Sequence, residues 1–184
     1  KDLLAAAKQK PGALNYGSAG TGSTSHLAAA MFASMAGINV VHVPYKGSAP
    51  AATDLFGGQI QFVFEAIGAG VQYVKTGRLR ALGVAASKRD PQLPDVPTIN
   101  EGGVPGYEAG GWNAMLAPAN TPRDVVLKIN QAVHAALATP RTQDLLAKSG
   151  TEPVTGTPEE FGSFLKSEVV KWGKVVKAAG LVLQ

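Results

Sequence analysis

The sequence predicts an α/β fold built on a largely parallel sheet, and three observations carry that prediction. Up to about residue 115, short apolar or β-branched runs alternate with segments of helical period. Glycine or proline stops separate those segments. The run Tyr16-Gly-Ser-Ala-Gly-Thr-Gly-Ser-Thr-Ser-His26 joins an apolar strand to an apolar helix through a glycine and hydroxyl loop, which is the junction of a βα unit.

The elements follow in order. Residues 1–9 read as a helix stopped by Pro11-Gly12, and residues 13–16 as a strand. A helix is expected over 24–36, with Gly37 as its C-terminal stop. Asn39 to Val43 alternates as a strand does, and Pro50 opens a short helix over 50–56. Ile60 to Phe64 reads as a strand, 67–76 as a helix ending at Gly77, and Leu79 to Ala85 as a further strand. Residues 88–111 hold four prolines (Pro91, Pro94, Pro97, Pro105) and read as a long irregular connection. Trp112 to Ala117 is expected to leave that connection as a strand.

Beyond Pro118 the pattern turns helical. Thr121-Pro122, Thr139-Pro140 and Thr157-Pro158 each place a capping hydroxyl before a proline suited to a first helical turn. Asp124 and Glu160 follow three residues after their threonines, where an acid complements the helix dipole or closes a capping box. The change of composition near residues 112–120 marks a domain boundary.

Composition bounds the function. The chain has 184 residues, 45% hydrophobic and 16% charged, with a net charge of +4 and no cysteine. That is a globular composition, without disulfides or thiolate metal sites. Basic residues are scattered and not interleaved with aromatics, so nucleic acid is not an expected partner. No apolar run reaches the length needed to span a bilayer, so no direct membrane insertion is expected. The chain opens at Lys1 already in helical pattern, and it is expected to belong to a longer polypeptide whose signal peptide lies outside it.

The glycine loop carries the chemistry. The first amides of a helix lack internal partners and carry partial positive charge, and glycines let a ligand approach the backbone. Ser18, Thr21, Ser23, Thr24 and Ser25 add hydroxyls, so the expected guest is a phosphate or a carboxylate. The spacing Gly17-x-x-x-x-Gly22-Ser23-Thr24 approaches a P-loop, but Ser23 stands where the phosphate-binding lysine belongs. A dinucleotide fingerprint fails because Ser25 occupies its third glycine position. A carboxylate needs only amides and hydroxyls; the plainer alternative is a capped turn with no ligand.

Other candidates are weighed likewise. His26, in the first turn of the loop helix, donates to an anion or packs and caps. His42 sits among apolar strand residues and reads as structural, and His134 as a surface or satisfied residue. Tyr45 and the amides of Gly47, Ser48 and Ala49 form a second strand-to-helix loop able to line a pocket. Glu65 follows an apolar strand, where open α/β sheets place ligand-contacting groups; the alternative is a helix-cap acid. No nucleophile with a base, no carboxylate pair and no metal-ligand spacing emerges, so an enzyme, a metal or a cofactor is not expected.

Seven motifs occur in order. They are Asn15 to Leu27, Val43-Pro-Tyr-Lys-Gly-Ser-Ala-Pro50, Gly57 to Glu65, Gly77 to Val84, Leu93 to Thr98, Glu101 to Tyr107 and Trp112 to Pro122. Together they make the chain resemble the periplasmic solute-binding proteins of tripartite tricarboxylate transporters, the Bug-type family. The resemblance implies a type II periplasmic-binding-protein-like fold of two lobes and a hinge, with the N-terminal part of the first lobe absent from this chain. Residues 1–112 would be most of the second lobe, and 113–184 a helical return into the first. Ser18, Ala19, Gly20, Thr21, Gly22 and Ser23 would hold a carboxylate, with Gly47, Ser48 and Ala49 on the opposite wall. Glu65 stands where the family commonly has Asp, and the residues after it lack a polar side chain often found there. The implied ligand is a dicarboxylate, an aromatic acid or an amino acid; the implied partners are membrane transporter subunits, and the implied compartment is the periplasm. Two other classes remain open on sequence: a phosphate- or nucleotide-handling α/β enzyme, and an interaction module without a small ligand.

Overall fold

A computed structural model describes residues 1–180. The chain divides into two compact units. One is Lys1–Gly111 together with the end of the last helix from Trp172, and the other is Trp112–Lys171.

The first unit is built on a parallel sheet. Its strands are β1 (Asn15–Ser18), β2 (Val41–Pro44) and β3 (Phe62–Val63), in the order β2-β1-β3. Tyr16 is in register with His42 on one side and with Phe62 on the other. The helices are α1 (Asp2–Gln9), α2 (Thr24–Ala36), α3 (Ser48–Phe56) and α4 (Ile67–Lys75).

Consecutive residues of a strand face opposite sides of its sheet, and β1 shows where the helices lie. Tyr16 is buried in a cluster with Ala29 of α2. A Cβ on Gly17 would point instead at Ala51 of α3, 3.3 Å away. Helices α2 and α3 therefore cover opposite faces. The chain after β1 goes to β2 on one side, and α3 carries it back past β1 to β3.

The α2 face holds the main core. Ala28, Phe32, Val104, Tyr107 and Ala109 are buried together, with Leu3, Leu4, Met31 and Trp172 packed against them. The Tyr107 hydroxyl donates to the Ala28 carbonyl at 2.9 Å, so α2 is tied to the irregular 88–111 segment by a satisfied buried group. That segment has its own clamp: the Arg89 guanidinium donates to both Glu101 oxygens, at 3.1 and 3.2 Å. Thr98 and Glu101 exchange reciprocal bonds, amide to carboxylate at 2.7 Å and amide to hydroxyl at 3.1 Å.

The second unit contains α5 (Arg123–Leu137), α6 (Pro140–Lys148) and most of α7 (Pro158–Ala178). Thr139 caps α6 by accepting from the Thr142 amide, and Thr157 closes a capping box with Glu160. The Trp112 ring meets Phe161 and Phe164 edge-on, and its Nε1 donates to Glu168 at 2.9 Å.

Several expected elements come out differently. Helix α3 begins at Ser48, with Gly47 as its N-cap at φ 117°, and Pro50 lies inside the first turn. The strand expected over 60–64 is only Phe62–Val63, although Gln61 already bonds the Asn15 carbonyl. Leu79 to Ala85 forms no strand but one parallel bridge, Val84 to Thr98, because Pro97 has no N–H to extend the ladder. Trp112 to Ala117 is not a strand: among the described residues no backbone pairs with it, and Met115 and Leu116 are exposed. Thr121 does not cap α5, whose N-cap is Pro122 with no side-chain bond.

Candidate functional site

The C-terminal ends of all three strands open onto one edge of the sheet, and the loops leaving them converge there. In open α/β sheets a ligand crevice forms outside the strand ends where connections leave to opposite sides. Here that point is the gap between the β1–α2 loop and the β3–α4 loop.

Within the β1–α2 loop, Ser18 is buried at the end of β1. Its hydroxyl lies 3.1 Å from both the carbonyl and the amide of Gly20 and 2.6 Å from His42 Nε2. The Ala19 amide donates to Ser25 Oγ at 3.0 Å, and the Gly22 amide to His26 Nδ1 at 3.0 Å. Ser23 is the N-cap of α2: its hydroxyl accepts from the His26 amide and donates to the Gly20 carbonyl at 2.7 Å. Gly20 and Gly22 sit at φ 132° and 79°, in backbone conformations that side chains disfavour.

The amides of Ala19, Gly20, Gly22 and Ser23 are thus already engaged within the loop. Those of Thr21, Thr24 and Ser25 make no hydrogen bond among the described residues, and the Thr21 and Thr24 side chains are exposed. The donors turned outward are therefore Thr21 and the first turn of α2, where the dipole adds positive potential.

The β2–α3 loop is bound to this one. The Tyr45 amide donates to the Ser18 carbonyl at 3.0 Å, and the Gly47 amide to the Ala19 carbonyl at 3.1 Å. This brings Gly47, Ser48 and Ala49 beside the glycine loop. The Tyr45 phenol is occupied by Asp54, to which it donates at 2.7 Å. Glu65 lies two residues past β3 on the same sheet edge. Its carboxylate accepts from the Ala66 amide at 2.9 Å, and no contact joins it to the glycine loop among the described residues.

Sequence reasoning assigned His42 a structural place and missed its partner. The His26 and His42 rings stack at 3.7 Å between centroids, 8° from parallel, with Tyr16 stacked on His42 at 4.9 Å. Burial and the neighbouring His26 pull His42 down to about 4, and burial lowers His26. Both rings are therefore neutral at pH 7. The signal was present in the pairing of the two motifs: parallel register sets His42 beside Tyr16, two residues before the loop.

Residues 1–181 match the family described as the tripartite tricarboxylate transporter family receptor. The chain belongs to that family. Among curated relatives, this chain is 41% identical over 175 residues to a protein of the tcbD-tcbE intergenic region of Pseudomonas sp., covering 95% of the chain and 52% of that protein. It thus spans about half of that relative's length. Among solved structures, Rpa4515 of R. palustris with adipate superposes with a TM-score of 0.87 at 38% identity, over 98% of this chain and 60% of that one. The periplasmic binding protein BugD gives 0.84 at 34% identity, over 100% and 62%. MatC from Rhodopseudomonas palustris with bound malate gives 0.79 at 30% identity, over 95% and 60%. The chain's α/β architecture is that of the periplasmic binding proteins it superposes on. Among its described residues no helix is long and apolar enough to cross a membrane.

Proposed function

We propose that the protein is a periplasmic receptor that captures a small organic carboxylate and delivers it to a tripartite tricarboxylate-type membrane transporter. The observation that carries this reading is the glycine loop. It turns the Thr21, Thr24 and Ser25 amides outward at the sheet's switch point, with no lysine or metal group to favour a nucleotide. Two similar structures hold adipate and malate, which makes a dicarboxylate the first candidate ligand.

One carboxylate would dock on the outward amides and the Thr21 hydroxyl, beside Gly47, Ser48 and Ala49. The far end of the ligand would meet Glu65 and the Ala66-Ile-Gly-Ala stretch. Glu65 accepts from an amine, a hydroxyl or a protonated acid, so a dicarboxylate would meet it with its far carboxyl protonated, and Glu65 sets a preference among acids. Capture would proceed by closure of two lobes about a hinge, driven by contacts made only when closed. The ligand would arrive and leave chemically unchanged.

A thermal-shift screen of the full chain tests the proposal. Adipate, malate, an aromatic acid, aspartate, inorganic phosphate and ATP form the panel. A concentration-dependent rise with a carboxylate supports it; a rise with ATP or phosphate alone overturns it.

A further inference from the structure

Beneath the loop lie two imidazoles for which anion capture has no direct use. His26 is 3% exposed, and its Nδ1 accepts the Gly22 amide at 3.0 Å. The His42 Nε2 lies 2.6 Å from the Ser18 hydroxyl, which also bonds Gly20. The rings are stacked 3.7 Å apart.

We infer that His26 and His42 are positioning residues: the neutral stacked pair fixes the two glycine amides of the loop, Gly22 directly and Gly20 through Ser18, and a proton on His26 Nδ1 releases Gly22. The reason is the direction of each bond. An Nδ1 that accepts from an amide carries no proton, so neutral His26 holds its proton on Nε2. A proton on Nδ1 would set two donors against each other at Gly22. His42 behaves differently. Its Nε2 serves Ser18 as donor or as acceptor, because the Ser18 hydroxyl can give its own proton to Gly20 or to His42. The stack couples the two rings, since two positive charges at that separation repel strongly.

Few other groups bear on the pair. From β1, Tyr16 stacks on His42 and faces His26 at 6.3 Å, and burial raises its phenol to about 12. From β3, Phe62 stacks on Tyr16 and does not titrate. Helix α2 contributes His26 itself with Ser23 and Ser25, and β2 contributes His42. No charged side chain bonds either imidazole among the described residues. Where the loop is the carboxylate cradle proposed above, the consequence is capture near neutral pH and weaker capture in acid.

The test is made without ligand, on the full chain labelled with nitrogen-15. Ring nitrogen shifts and the Gly20 and Gly22 amides are followed from about pH 8 to about pH 4, a range that extends below the ordinary histidine pKa of about 6.5 because burial lowers His26. His26 is expected in its Nε2–H form, with the protection of the Gly22 amide lost as His26 takes up a proton while Gly20 stays bonded to Ser18. A Gly22 amide unmoved by that titration, or an Nδ1–H form of His26 at pH 8, overturns the inference. His26→Asn, whose Oδ1 replaces Nδ1 as acceptor, should keep both amides protected and pH-insensitive, whereas His26→Ala should release Gly22. Equal behaviour of the two variants overturns it as well. Adipate titration then separates the two readings. Where adipate binds, affinity should fall roughly tenfold on acidification, the size of one hydrogen bond to a charged group, and His26→Asn should flatten that fall. Amides that respond as stated in a chain that binds no carboxylate sustain the positioning role and remove the capture reading alone.

Discussion

Gly17 and Ile60 approach so closely beside β1 that a Cβ on Gly17 would stand 2.5 Å from Ile60 Cδ1. The same Cβ would lie 3.3 Å from Ala51 Cβ and from the Tyr45 ring, so retreat is blocked on two further sides. Gly17 is thus what allows α3 to pack against β1 just below the glycine loop. Gly17→Ala should destabilise the fold by about 1–3 kcal/mol, the range for overpacking a closed site. Adding Ile60→Val, which removes the nearest atom, should recover part of the loss. Urea melts of the two single variants and the double variant give the coupling; strict additivity would show that Ile60 is not the obstacle.

The same loop region makes stability depend on pH. His42 is pulled down to about 4 and His26 is also lowered, both first by burial. The unfolded chain takes up these protons near the ordinary histidine value of about 6.5, so between there and about 4 it binds more protons than the native state. Stability is therefore full above about pH 6.5 and declines as pH falls toward 4. Melting temperatures measured across that window should drop for the wild type and drop less for His42→Gln, which cannot titrate. An unchanged slope in that variant would assign the acid loss to other groups.

How much of this was legible depended on whether the cause was local. The glycine loop and the Gly37 stop were readable because each depends on a few neighbouring residues, whereas the sequence left open which hydroxyl caps α2, a place that Ser23 takes. Strands were harder, since a strand exists only when another backbone pairs with it. Leu79 to Ala85 and Trp112 to Ala117 have strand-like composition but lack a ladder, and Pro97 limits the first of them to a single bridge. Within the loop, residue types point to a donor-rich turn but not to which amides remain outward. That is fixed by Ser25 and His26 folding back to take the Ala19 and Gly22 amides. The stacked histidines come from two motifs brought together only by the register of β1 and β2.

The three Thr-Pro signatures look alike in sequence and differ in structure, which yields a contrast. Thr157 exchanges bonds with Glu160, its hydroxyl accepting that amide at 3.2 Å while its own amide donates to the carboxylate at 2.7 Å. Thr121 makes no cap bond to α5. Thr157→Ala should therefore lower stability by about 1 kcal/mol, the usual loss for an N-cap hydroxyl. Thr121→Ala should stay within about 0.5 kcal/mol of wild type, as a surface change. Chemical denaturation of both variants checks the difference, and equal losses would contradict the capping assignment.

The glycine loop contains hydroxyls of two kinds, and substitution should separate them. Ser18 is buried and bonded to Gly20 and His42, so Ser18→Ala removes support for the loop itself. It should reduce both the melting temperature and carboxylate affinity, the loss of stability being about 1 kcal/mol with the Gly20 amide left unpaired. Thr21 is exposed, and its hydroxyl has no bond among the described residues. Thr21→Ala should leave the melting temperature of the ligand-free protein unchanged. It should nevertheless weaken carboxylate binding by about 1–2 kcal/mol, the contribution of a hydrogen bond to a charged acceptor. Calorimetric titration with adipate or malate, paired with thermal melts without ligand, reads both quantities. A Thr21→Ala variant that binds as wild type would move the ligand away from the outer rim of the loop. A Ser18→Ala variant that melts as wild type would show that the loop holds its shape without the Ser18 bonds.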